Sequence, residues 1–178
     1  FLGVTIEASQ NNTVKENLVS GNDFGISIGD SEEIAGERRV SLNAGIRQSS
    51  PSGSSPYATG NKLSGNIVGL NVDQSAPVLS GVGIWVGQNA RANFVGTTDG
   101  NRNVIAGNSS FGVVVGTLVS NPPEDVRPRD NKVQRNLIGI SENEVTFPNS
   151  VGVVLSQTSG NTIGGLTDDL HNVIAAST

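Results

Sequence analysis

The sequence predicts an all-β solenoid, about five coils of three short strands each, on three observations. Glycine (23 of 178 residues) and Asn (about twenty) are in excess while aromatics make up only 4%, a turn-rich composition with little to fill a thick core. The apolar residues are overwhelmingly Val, Ile and Leu set in short runs, which favours strands over helices or disorder. Three short signatures also recur in fixed order along the chain, the mark of a repeat architecture. At 18.3 kDa the chain has the length of one domain with a buried core.

The first signature is Asn, any residue, then an aliphatic: "NTV" at 12, "NKL" at 61, "NFV" at 93, "NKV" at 131 and "NTI" at 161. The second is Asn followed by two aliphatics: "NLV" at 17, "NIV" at 66, "NVI" at 103, "NLI" at 136 and "NVI" at 172. The third is Gly, aliphatic, any residue, aliphatic: "GVTI" at 3, "GISI" at 25, "GIWV" at 83, "GVVV" at 112 and "GVVL" at 152. Third signatures stand as little as 22 residues apart, from Gly3 to Gly25, which suits three short strands and three turns. A longer echo, "NKLSGNIVG" at 61 with "NKVQRNLIG" at 131, recurs after roughly 70 residues and groups the coils in pairs.

Each strand offers only one or two inward aliphatics, too few to bury a face alone. Stability must then come from stacking coils about 4.8 Å apart with equivalent side chains in register. Gly25, Gly83, Gly112 and Gly152 stand where a strand enters from a turn, a place where positive φ is often demanded. Asn17, Asn66, Asn103, Asn136 and Asn172 each offer an amide that donates and accepts, so stacked copies are expected to bond into a structural ladder.

These motifs resemble the right-handed single-stranded parallel β-helix family, the pectate-lyase-like fold, and especially the bacterial repeats with "NxIxGN" and "GVxI" signatures. The resemblance covers most of the chain except 29–60. It implies an extracellular or cell-surface protein.

Two stretches break the period. Residues 29–60 and, more briefly, 117–130 leave from equivalent strand ends and are expected to project from one edge as loop excursions. Loops on one side of a solenoid are where recognition is usually placed. The polar candidates there are Glu32, Glu33, Arg38, Arg39, Arg47, Tyr57, Glu124, Asp125, Arg127 and Arg129, with a merely solvated loop as the plainer alternative. Strand alternation adds Trp85: with Ile84 and Val86 inward, Trp85 points outward in a column with Thr5, Ser27, Val114 and Val154. An excursion, another subunit or a stacked sugar ring would each account for it. Burial by protein is the leading expectation.

A net charge of −5 and a pI near 4.8 argue against a nucleic-acid groove or an anionic membrane surface, because either needs a basic stripe. There is no Cys, no membrane-spanning apolar run, no leader and no initiating Met. Together with an open coil at each end, this reads as a segment of a larger β-helix, or one whose ends partner molecules cover.

Enzymes resembling this fold cut or epimerise acidic polysaccharides. A hydrolase needs two carboxylates roughly 5 to 10 Å apart, and a lyase or epimerase needs a base with a cation or Arg on the uronate. The outward residues of the first strands are Thr13, Lys62, Phe94, Lys132 and Thr162, with no acid among them. His171, the one histidine, takes the slot of Arg102 in the longer echo, and Asp168 and Asp169 align near the turn residue Asp99. The Asp-Pro-His element of alginate-type epimerases is absent. Asp99 or Asp168 could hold calcium beside turn carbonyls, yet neither loop has the spacing of a dedicated site. No catalytic, cofactor or metal residue is assigned.

The expected function is a non-catalytic stalk, adhesive or carbohydrate-contacting scaffold of a secreted or cell-surface protein. Its expected partners are polysaccharide or surface glycan, further copies, or flanking coils. The alternatives are a polysaccharide lyase, hydrolase or epimerase-like domain built by the excursions, and an oligomeric fibre or tail-spike-like module using the Trp85 face.

Overall fold

The computed structural model describes residues 1–29, 57–117 and 120–175. Within them the three signatures become three parallel sheets of five strands each. The third signature forms the first sheet, stacking Leu2–Ile6, Phe24–Ile28, Val82–Val86, Phe111–Gly116 and Val151–Ser156 in chain order. The first signature forms the second sheet, from Thr13–Lys15 through Lys62–Ser64, Phe94–Val95 and Lys132–Val133 to Thr162–Ile163. The second signature forms the third, from Leu18–Val19 through Ile67–Val68, Asn103–Ile105 and Asn136–Ile138 to Val173–Ile174. Neighbours in each sheet belong to successive coils, so the chain is a parallel β-helix. No α-helix occurs among the described residues, only short 3₁₀ turns at Glu124–Val126 and Asp168–Leu170.

Register carries the core. Ile26 pairs with Ile84 and Ile84 with Val113, while Ile28, Val86 and Val115 form a second column. Leu63, Val95 and Val133 line the second sheet and Val68, Ile105 and Ile138 the third. All twelve are fully buried, each contributing about 1.5–3 kcal/mol by leaving water.

A fourth facet was not visible in the sequence. Ala58–Thr59 pairs with Ala90–Arg91, and single bridges extend the row to Gln10 on one side and to Arg129 and Ser159 on the other. Its inward positions are Ala58 and Ala90, both fully buried. A pairing one or two residues long, with Ala in place of a larger aliphatic, leaves no periodic apolar signal to read.

The predicted Asn ladder is present and complete. Nδ2 of Asn17, Asn66, Asn103 and Asn136 donates to Oδ1 of the next Asn at 3.0, 3.0, 2.9 and 2.9 Å, ending at Asn172. The second N–H of Asn66, Asn103 and Asn136 reaches back to the carbonyls of Val14, Leu63 and Val95 in the preceding coil. In Asn103 both donors and both acceptor positions are thereby used, the full capacity of an amide. Asp has no donor, Ser is too short and Gln too long to do the same. The Asn of the first signature builds a parallel ladder, Asn12 to Asn61, Asn93, Asn131 and Asn161, at 2.9 to 3.0 Å.

A third ladder at the next corner is defective. Asn108 donates to Asn149 Oδ1 through its backbone N–H at 3.0 Å and Nδ2 at 2.9 Å. One coil earlier the position is Ser80, buried at 1% exposure. Its Oγ accepts from Asn22 N–H at 3.3 Å, but it has no amide to donate, and Asn108 Oδ1 is left buried without a partner. Supplying that donor with Ser80→Asn is expected to raise unfolding stability by about 1 kcal/mol, measured by chemical denaturation. A loss of stability would show the corner too tight for an amide.

The strand-entry glycines have a different cause from the one expected. None of Gly25, Gly83, Gly112 and Gly152 has positive φ. A Cβ on Gly25 would stand 2.6 Å from Gly83 O, one on Gly83 2.7 Å from Gly112 O, and one on Gly112 2.6 Å from Gly152 O. Close stacking of successive coils, not turn geometry, excludes the side chain. Positive φ falls instead on turn residues such as Gly69 and Gly107.

Candidate functional site

Trp85 lies in the predicted outward column, paired with Ser27 and Val114. It is packed rather than presented: 3% exposed, with Val82 and Val114 in one apolar cluster that Phe24, Phe111 and Val154 flank. The Phe24 ring meets it edge-on, centroids 5.5 Å apart at 89°. The indole N–H has no hydrogen-bond partner, so the ring sits in apolar surroundings. Fluorescence from this sole Trp is expected to be blue-shifted and resistant to acrylamide. Free quenching would contradict the burial.

The excursion candidates divide. Arg38, Arg39, Arg47, Glu32 and Glu33 lie outside the described residues. The others gather on the fourth facet, joined by Arg91, which the sequence did not single out. Its guanidinium stacks on Tyr57 at 3.3 Å from the ring centroid and donates to the Asp125 carbonyl. Glu124 and Asp125 are exposed, and Arg127 and Arg129 half-buried. Arg127 Nε donates to Pro122 O at 3.2 Å, and Arg129 is bridged through its backbone to Arg91 and Ser159. Arg91 is thus a clasp between Tyr57 and the 120s loop, worth about 1 kcal/mol as a cation–π contact.

On the second sheet the outward column runs Thr13, Lys62, Phe94, Lys132, Thr162, as alternation required. Lys132 Nζ lies 5.6 Å from the Phe94 ring centroid and Lys62 Nζ 3.5 Å from Asp99. The Asp99 carboxyl is held below its ordinary value of 3.8 by the polar groups around it, the nearby Thr97 hydroxyl first, then its own backbone amide and the Lys62 ammonium. Thr97 Oγ1 stands outside hydrogen-bonding geometry, so the Lys62 ion pair is the contact to test. Any stabilisation from the depressed value is present above pH 3.8 and lost as pH falls through the folded-state midpoint. Lys62→Gln is expected to move the Asp99 midpoint upward in an NMR titration. Asp168 and Asp169 are exposed on their 3₁₀ turn, and among the described residues no group of three or more His, Cys, Asp or Glu is placed to hold a metal.

A groove on the third sheet brings together residues the sequence left apart. Two flaps, residues 71–76 and 141–146, arise at equivalent places in alternate coils and are closed by antiparallel bridges Leu70 to Pro77 and Ile140 to Thr146. They meet across the intervening coil. Gln74 Nε2 donates to Glu142 Oε2 at 3.0 Å and Glu142 N–H to Gln74 Oε1 at 2.9 Å. Beneath them Leu70, Val104 and Ala106 form a satellite core with Ile67, Leu137 and Phe147 packed against it. The outward column of this sheet is aliphatic throughout: Leu18, Ile67, Val104, Leu137, Val173.

Beside the second flap opens a groove of about 830 Å³, with Leu137, Ile140 and Val173 among its lining residues, Glu142 and Glu144 contributed by the flap, and Arg102, Arg135 and His171 by the turns that enter the third sheet. The sequence had matched His171 to Arg102. The register places Arg135 between them, and the flap lines the same groove. The only signal was the shared pattern of "GLNVDQSAPV" at 69 and "GISENEVTFP" at 139.

Fold and ladders define the class, a parallel β-helix with stacked Asn side chains. No family model, curated protein or solved structure matches this chain.

Proposed function

We propose that this chain is a non-catalytic β-helical segment of a secreted or cell-surface protein, a rigid scaffold that offers its outer faces to carbohydrate. The observation that carries this reading is the pair of unbroken Asn ladders, which tie each coil to the next at two corners. Such cross-linking suits a stiff rod. The outward columns of the second and third sheets support it, being Thr, Lys and Phe on one and aliphatic on the other. Neither carries the paired carboxylates that glycoside hydrolysis requires.

The test is binding and turnover measured together. On a panel of uronate-containing and neutral polysaccharides, binding without unsaturated product or new reducing ends supports the scaffold. Robust turnover overturns it. A cleaving enzyme is the second reading, favoured by the meeting of His171, Arg102, Arg135 and two carboxylates in one groove. Turnover lost in His171→Ala would establish it.

A further inference from the structure

We propose that the column Arg102, Arg135, His171 binds a tetrahedral oxoanion, the phosphate or sulfate group of an ester. Register sets the column. Asn103 pairs with Asn136 and Leu137 with Val173, so the backbones of Arg102, Arg135 and His171 stand at matched positions on three consecutive coils, about 4.8 Å apart, with Arg135 alone in a left-handed conformation (φ 55°). Like charges at matched positions of adjacent strands are unfavourable, which favours an anion shared between the two Arg, and the forked donors of Arg match the oxygens of a phosphate or sulfate.

The rest of the molecule sharpens the contrast. In a chain of net charge −5, Lys15 is paired with Glu16 at 3.2 Å and Lys62 with Asp99 at 3.5 Å. Among the described residues neither Arg102 nor Arg135 forms an ion pair. Arg135 Nη1 donates to Thr98 O at 3.0 Å, which fixes its side chain and leaves its remaining N–H groups free to act. Of the two carboxylates lining the groove, Glu142 accepts a hydrogen bond from Gln74 of the other flap and keeps its charge, so Glu142 and Glu144 both disfavour a bare anion and the forked Arg donors must outweigh them. Leu137, Ile140 and Val173 in the lining offer contact to the organic part of an ester. Among the described residues, the three basic groups and two carboxylates named are the titratable side chains lining the groove.

His171 is the sole histidine, so its imidazole signals report on this column alone. The experiment follows them by NMR at constant ionic strength during titration with inorganic phosphate, inorganic sulfate, methyl phosphate and methyl sulfate, with chloride as the reference salt. The expected result is a saturable shift in the millimolar range with an oxoanion. Tighter binding of the methyl esters than of the inorganic ions is expected, and tighter binding of the inorganic ions would overturn the assignment to an ester group. Arg102→Gln with Arg135→Gln is expected to weaken the response at least tenfold, and Arg102→Gln alone part of the way. Lys132→Gln, on another sheet, is expected to leave it unchanged. A shift that tracks chloride equally, or a saturation curve unaltered in the double variant, would overturn the proposal and leave the scaffold reading untouched.

Discussion

Asn103→Ala is expected to cost about 4 kcal/mol of unfolding free energy, at roughly 1 kcal/mol for each hydrogen bond removed. Asn103 Oδ1 accepts from Asn66 N and Asn66 Nδ2, both at 3.0 Å, while its Nδ2 donates to Leu63 O at 3.0 Å and Asn136 Oδ1 at 2.9 Å. The residue is fully buried, so water does not replace those partners, and groups on both adjacent coils are orphaned at once. The matching change at the end of the ladder, Asn17→Ala, is expected to cost about 1 kcal/mol, because Asn17 is exposed. Asn103→Asp separates donor chemistry from shape. The isosteric carboxylate cannot donate and faces two oxygens, so burial and repulsion raise its folded-state pKa. The variant is therefore expected to be least stable at neutral pH and to recover as pH falls and the carboxyl protonates. Denaturant titrations at pH 7 and pH 4.5 read both effects. Equal costs at positions 17 and 103 would show that the ladder contributes no more inside than at its edge.

Gly83→Ala is expected to cost about 3 kcal/mol, the upper end of ordinary overpacking. The new methyl would lie 2.6 Å from Ile105 Cγ2, 2.7 Å from Gly112 O and 2.8 Å from Asn108 Nδ2. One of the three is backbone and one is a hydrogen-bonded ladder amide, so relief requires the coils to separate or the third ladder to break. Gly164→Ala makes the contrast, since nothing lies within 4 Å of its Cβ position although its φ is +82°. There the penalty is backbone strain alone, about 1 kcal/mol. Thermal unfolding of the two variants ranks close packing against conformational freedom. A larger loss at Gly164 would reverse the account of the glycine positions given above.

Much of the scaffold was legible because a solenoid repeats its demands. Asn17, Asn66, Asn103, Asn136 and Asn172 must each meet the same partner chemistry one coil on, so the residue recurs and can be counted. Gly25, Gly83 and Gly112 recur for the same reason, but recurrence does not reveal the cause. A missing Cβ is equally necessary for positive φ and for a carbonyl 2.6 to 2.7 Å away, and only coordinates tell the two apart. The Asn12 ladder lies inside the first signature, but an Asn that opens a strand after a turn is explained by turn chemistry alone, so its partner one coil on is not evident from spacing.

The groove was less legible. Arg102, Arg135 and His171 come from three coils and Glu142 and Glu144 from a flap, and charged residues at a turn recur without any packing requirement. Tyr57 and Arg91 are 34 positions apart and meet on a facet whose strands are too short to announce themselves. Trp85 was placed outward by alternation alone, yet its burial depends on what lies against that face.

By itself the sequence determined the coil, its registers and its inward columns, because identical side chains must bond and pack once per turn for stacked strands to be stable. Tertiary structure alone decided which outward groups became neighbours. The loops and flaps that bring those groups together answer to no period, so their meeting is a matter of where the wound chain carries them.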